Sequence, residues 1–209
     1  MSSLTVSDKH SAPATTKVIQ PAWVRIMHWI NAVAILLMIT SGWQVYNASP
    51  LFNFSFPASI TLGGWLGGAL LWHFAAMWLL MVNGLFYLTF GFATGRFSKK
   101  LLPITPSGVV ADTKAALTFK LSHDDLSKYN NVQKLLYAGI IVVGIVIVLS
   151  GLSMWKPVQL QYLTALFGGY DFARYVHFAC MAAICAFLVV HVVLALLVPK
   201  SLRAMIIGR

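Results

Sequence analysis

The chain is expected to be an all-α integral membrane protein, a four-helix bundle with both termini in the cytoplasm, on three observations. Of its 209 residues, 59% are apolar and 10% charged, and the mean hydropathy is +0.79. A soluble domain of this size has no interior large enough to hide so much apolar surface. Four stretches suit a bilayer core, which asks about 20 apolar residues of each helix: Val24–Tyr46, Trp65–Phe90, Leu135–Met154 and Phe172–Val198. The third observation is where the basic residues fall. Thirteen Lys and Arg lie in the N-terminal tail, the long second loop and the C-terminal tail, against Lys156 and Arg174 on the other side. Basic residues gather on the cytoplasmic side of a membrane, so both termini and the second loop of a multi-pass membrane protein are expected in the cytoplasm. No run of short alternating segments suggests a β-barrel. Topology and anionic lipid account for the net charge of +10 without a nucleic-acid partner.

Residues 1–22 are Ser, Thr, Ala and Lys with little apolar content, and read as a disordered cytoplasmic tail without a cleavable signal. Residues 23–209 then form one domain. Pro21 opens the first helix, Trp23 and Trp29 sit at its interface, and Gly42 lies near its outer end. The outer loop that follows places Phe52, Phe54 and Phe56 before Pro57, either an interfacial aromatic belt or an apolar platform for a partner. Gly63, Gly64, Gly67 and Gly68 precede the second helix, where small residues admit a neighbouring helix or a planar cofactor. Ser107–Leu121, inside the second loop, suits a short helix on the membrane surface. Gly139, Gly144 and Gly151 punctuate the third helix, which has no histidine and is expected to close the bundle without supplying a ligand. Cys180 and Cys185 point about 140° apart on the fourth helix and read as packing residues.

Six histidines remain to be placed. His10 and His123 lie in polar segments and are expected to be solvated. The other four are inside apolar spans, where ionisable groups are costly and usually functional. A lone His in such a helix is ordinarily a hydrogen-bonded packing residue, but depth argues otherwise. His28 is four residues in from the cytoplasmic start of the first span, and His191 seven before the cytoplasmic end of the fourth. On the outer side, His73 is eight residues into the second span and His177 five into the fourth. At about 1.5 Å per residue these depths match pairwise, His28 with His191 and His73 with His177. His177 and His191 share one helix face roughly 21 Å apart. Two metal centres stacked across the membrane are therefore expected, with neutral imidazoles as axial ligands of haem iron.

Arg25 and Arg174 each precede a candidate ligand by three residues, one turn outward on the same face. A guanidinium there suits a haem propionate. No C-x-x-C-H occurs, so any haem is held non-covalently. Iron with two imidazoles has no open position for substrate, so the centres should pass electrons. Protonatable residues for quinone chemistry cluster inside, at His123, Asp124, Asp125 and Lys128, against Asp171 alone outside. A quinone partner would on this ground sit beside the cytoplasmic pair, between the ends of helices one, three and four and the loop carrying His123–Lys128.

Three motifs now carry a resemblance: R-x-x-H-W at Arg25–Trp29, W-H at Trp72–His73, and R-x-x-H-x13-H from Arg174 to His191. With the closing L-R-A-M-I-I-G at Leu202–Gly208, the chain resembles the bacterial cytochrome b561 family over residues 20–208. That family includes the b-type subunits of nickel hydrogenases, formate dehydrogenases and thiosulfate reductases. The resemblance implies His28, His73, His177 and His191 as axial ligands of two b haems. It further implies electron exchange between the quinone pool and a periplasmic redox protein. The start of helix three, with Asn131, Gln133 and Lys134, looks most like members paired with periplasmic molybdopterin oxidoreductases. Two rival readings stay open: a stand-alone quinone-linked oxidoreductase acting on a small periplasmic substrate, and a non-redox proton or metal transporter using the same histidines.

Overall fold

A computed structural model of the chain describes residues 18–118 and 129–208. Within them lie α1 (Ala22–Ala48), α2 (Leu66–Ala93), α3 (Arg96–Leu101), α4 (Pro106–Leu117), α5 (Asn131–Trp155), α6 (Gln161–Leu166), α7 (Tyr170–Leu197) and α8 (Pro199–Ile207). No strand occurs among the described residues. Helices α1, α2, α5 and α7 are the four long apolar spans. Without water in the bilayer core, every backbone N–H and C=O must pair inside its own segment, and a helix does this. Three of the four begin before the apolar stretch read from sequence, because helical pairing continues through the interface after hydropathy has dropped.

The four spans alternate in direction and form two hairpins, α1 on α2 and α5 on α7. Backbones approach closely within each hairpin and only sparsely between the two. Side chains bridge the remaining separation, Phe74 against Trp155 and Tyr46 against Phe178, with ring centres 5.3 Å apart in both. Residues with no exposed surface at all are small: Ala34, Ser41, Ala69, Ser150, Ser153 and Ala173. Small side chains let membrane helices close on one another. The outward faces carry Leu71, Leu85, Val189 and Leu196, all largely exposed, as suits contact with lipid.

Charges divide the molecule into two ends. One end, the basic face, carries Arg25, Arg96, Lys99, Lys100, Lys134, Lys200 and Arg203; Lys156 and Arg174 lie at the opposite face. At the basic face Asn130 caps α5, accepting from Gln133 N at 2.8 Å while Gln133 Oε1 accepts from Asn130 N at 3.1 Å. This reciprocal box satisfies two otherwise unpaired N–H groups, which gives Gln133 a structural role. Asp112 of α4 accepts from Asn131 N at 2.6 Å, fastening the loop helix to α5. The helix expected over 107–121 is thus present as Pro106–Leu117, and its last expected residues lie outside the described ones.

Two features depart from the expectation. Residues 18–20 are not free chain: Ile19 N donates to Gly208 O at 2.9 Å, so the start of the domain is stapled to its end. Residues 1–17 of the expected tail lie outside the described residues. The glycines before α2 also have a local use. Gly63 and Gly64 take φ values of 111° and 71° in a tight turn. A Cβ at Gly68 would meet Gly63 O at 2.3 Å. Those glycines allow the chain to fold on itself.

Candidate functional site

The structure brings the four intramembrane histidines together as two pairs. Towards the basic face, His28 of α1 and His191 of α7 have ring centres 5.9 Å apart, inclined at 55°. Towards the opposite face, His73 of α2 and His177 of α7 have ring centres 6.4 Å apart, inclined at 61°. Each pair joins one hairpin to the other, across the line where backbone contact is sparse. An iron bonded to two imidazole nitrogens at about 2 Å each would hold the ring centres roughly 6 Å apart. Both pairs stand near that separation, so both fit an axially ligated haem.

Among the described residues, no group of three or more His, Cys, Asp or Glu gathers at one place. Two imidazoles alone leave most of a metal's coordination positions to a non-protein ligand, as a porphyrin supplies. A zinc-type site built wholly from side chains needs four ligands, and these pairs do not offer it.

The pair at the opposite face is held by more than the helices. His73 Nδ1 lies 3.0 Å from Ser41 Oγ on α1. His177 Nδ1 lies 3.1 Å from Ser150 Oγ and 3.0 Å from Ile147 O on α5. The rings also rest on glycine: a Cβ at Gly42 would sit 3.3 Å from His73 Cε1, and one at Gly151 3.1 Å from His177 Cε1. These contacts were not read from sequence. The third span was expected only to close the bundle, yet its Ser150 and Gly151 seat a candidate ligand. The available signal was a Ser-Gly dipeptide inside an apolar span, present in both α1 and α5. Gly139 and Gly144, grouped with Gly151 in the sequence, approach nothing within 4 Å.

At the basic-face pair the surroundings are aromatic. His191 stacks on Phe187 with centres 5.5 Å apart, and His28 meets the Trp29 ring edge-on at 5.4 Å. Behind His28, buried Asn83 donates to Met27 O at 2.8 Å and to Asn31 Oδ1 at 2.7 Å, locking α2 to α1.

Both candidate propionate partners reach backbone carbonyls. Arg25 donates through Nη1 to Ile206 O at 2.7 Å, beside Trp29 Nε1 donating to Met205 O at 3.1 Å. Helix α8 is thereby folded back over the start of α1. Arg25 Nε is buried with no hydrogen-bond partner among the described residues. Arg174 donates through Nη2 to both the carbonyl and the hydroxyl of Ser49. A guanidinium has five N–H donors, so each arginine retains donors for a carboxylate. Phe52, Phe54 and Phe56 cluster with Tyr46 and Phe178 on the opposite face. The free thiols Cys180 and Cys185 lie on α7, and Cys185 Sγ contacts Met181 Sδ at 3.6 Å. His10, His123, Asp124, Asp125 and Lys128 lie outside the described residues.

Comparison with known proteins adds two findings. Residues 19–208 match the family described as prokaryotic cytochrome b561. A protein of Azospira oryzae with the provisional name protein-methionine-sulfoxide reductase subunit YedZ1 is 54% identical over 190 residues, covering 91% of this chain and 96% of that one.

Proposed function

This chain belongs to the prokaryotic cytochrome b561 family, and on that premise we propose a two-haem electron carrier serving a redox subunit on its opposite face. The coarse function follows from membership: the protein is a multi-pass cytochrome b of the inner membrane, binds haem b and works in electron transport. The finer reading assigns His28 and His191 as the axial pair of one haem and His73 and His177 as that of the other. It rests on the two ring-centre separations of 5.9 and 6.4 Å at opposite ends of the bundle. Haem when bound supplies one-electron carriage at an iron without an open position. The protein's part is to hold the imidazoles across two hairpins and to keep water from them. Arg25 and Arg174 each lie one turn outward of a ligand, and their remaining donors are assigned to the propionates.

The partner is assigned as a periplasmic oxidoreductase subunit. The positive-inside rule turns the opposite face to the periplasm. A relative named as a subunit of a protein-methionine-sulfoxide reductase supports a companion chain that reduces methionine sulfoxide in proteins. Quinone is assigned to the basic face, beside His28 and His191, because quinone reduction takes up protons and the sequence concentrates protonatable residues, His123, Asp124, Asp125 and Lys128, in the loop between the second and third spans. Haem quantitation on the purified chain tests the haem assignment: two haems per polypeptide, falling to one in each single histidine variant. One haem in the unaltered chain would overturn it. Gentle detergent extraction tests the partner, by the presence of a stoichiometric soluble subunit able to reduce methionine sulfoxide. Quinone density near His73 and Trp65, with none near His28, would overturn the quinone placement.

A further inference from the structure

Ser41 and Ser150 are fully buried hydroxyls in two apolar spans, where an unpaired hydroxyl is costly. Their surroundings repeat. Ser41 lies on α1 and faces His73 of the helix it packs against; Ser150 lies on α5 and faces His177 of the helix it packs against. Each serine is followed by the glycine whose missing Cβ clears the same ring atom, Cε1. At His177 the carbonyl three residues before the serine, Ile147 O, also lies against the ring, 3.0 Å from Nδ1. One local arrangement thus occurs twice, once in each hairpin.

Proton accounting fixes the direction of these bonds. Ser41 Oγ spends its single proton on Leu37 O at 2.5 Å, and Ser150 Oγ on Ile147 O at 3.0 Å. Each hydroxyl can then only accept from the imidazole. The Ile147 carbonyl, 3.0 Å from His177 Nδ1, can also only accept. The Ile147 carbonyl therefore requires the proton of His177 on Nδ1, and the short bond of Ser41 to Leu37 O assigns the same tautomer to His73, leaving the lone pair of each ring on Nε2. The basic-face pair differs: among the described residues, no hydrogen bond reaches either His28 or His191, whose ring contacts are with each other, Trp29 and Phe187.

We propose that Ser41 and Ser150 are positioning residues that fix His73 and His177 as Nδ1–H tautomers and orient both rings, with Gly42 and Gly151 giving the clearance to do so. This rests on the ligation reading above, in which those rings bind iron through Nε2. A ligating imidazole that donates its other N–H becomes the more basic ligand, and a more basic ligand favours ferric iron. The opposite-face haem is accordingly given lower-potential ligation than the same haem would have without the two hydroxyls.

The test uses the full-length chain purified in detergent with its haem. Ser41→Ala and Ser150→Ala are compared with Ser41→Thr and Ser150→Thr, which keep a hydroxyl. Haem content, midpoint potentials and the electron paramagnetic resonance of the ferric haems are measured. The expected result is an upward shift of one midpoint potential and a change in one ferric signal in each alanine variant, with the other haem unchanged and threonine restoring the original values. Loss of one haem from an alanine variant but not from its threonine counterpart also supports the proposal. Two fully occupied haems with unaltered potentials and spectra in both alanine variants would overturn it, as would equal haem loss in alanine and threonine variants. His73→Ala and His177→Ala run alongside. If these keep both haems the ligation reading itself fails; if they lose one while the serine variants are silent, only the positioning role fails.

Discussion

Arg174 donates through Nη2 to the backbone carbonyl of Ser49, joining the start of α7 to the end of α1 across 125 residues of sequence. The contact clamps the two hairpins together at the opposite face, one turn outward of His177. It explains an arginine on a side otherwise nearly free of basic residues, whatever else its remaining donors bind.

Arg174→Gln should lower the midpoint potential of the opposite-face haem. Ferric haem carries one more positive charge than ferrous, so a nearby guanidinium disfavours the ferric state and its removal favours it. The shift at the other haem should be smaller. Redox titration measures both, and an equal shift at the two haems would contradict the local placement of Arg174.

His73→Ala and His177→Ala should remove the same haem, and His28→Ala and His191→Ala the other, because the rings stand in those two pairs. Low-temperature absorbance spectra would tell the two proposed haems apart. If His28→Ala and His177→Ala removed the same one, the pairing would be wrong.

Gly151→Ala and Gly42→Ala should both disturb the opposite-face haem, Gly151 more. The added methyl would sit 3.1 Å from His177 Cε1 in the first and 3.3 Å from His73 Cε1 in the second. Both rings must yield by a few tenths of an ångström. Altered ferric resonance with retained haem is the expected outcome for alanine, and loss of that haem for valine at either position.

Asn83→Leu should loosen the basic-face end of the first hairpin. It removes the donor to Met27 O and Asn31 Oδ1 and leaves Asn31 without that partner in an apolar setting. Hydrogen bonds between membrane helices are worth about 1 kcal/mol, so a modest fall in thermal stability is expected. Haem release on heating should begin at the His28 and His191 pair, which haem spectra followed through a melt would show.

Truncation after Val198 should affect the same end. Removing α8 strips Arg25 of Ile206 O, Trp29 of Met205 O and Ile19 of Gly208 O. Arg25 is one turn from His28, so occupancy or potential of the basic-face haem should change while the opposite-face haem stays as it was. Equal effects on both haems would mean that α8 supports the bundle as a whole.

Four spans, their alternation and the depth of each histidine could be read from the chain, because each is a property of linear sequence. A span is a sum of side-chain transfer energies over about 20 residues, and depth is a residue count multiplied by a fixed rise. The matching of His28 with His191 and of His73 with His177 follows from depth alone, since crossed pairs would have to reach across most of the membrane. Other features needed the tertiary structure. Which way a helix is rotated depends on its neighbours, so hydropathy could not reveal that Ser41 and Ser150 face imidazoles, nor that Gly151 differs from Gly139 and Gly144. The glycines at 63 and 64 look the same in sequence as helix-packing glycines, and only their positive φ values assign them to a turn. The spacing of Arg25 and Arg174 from His28 and His177 is legible in sequence, but their carbonyl partners come from α8 and the end of α1. Those contacts arise where the chain closes on itself, and no local pattern encodes them.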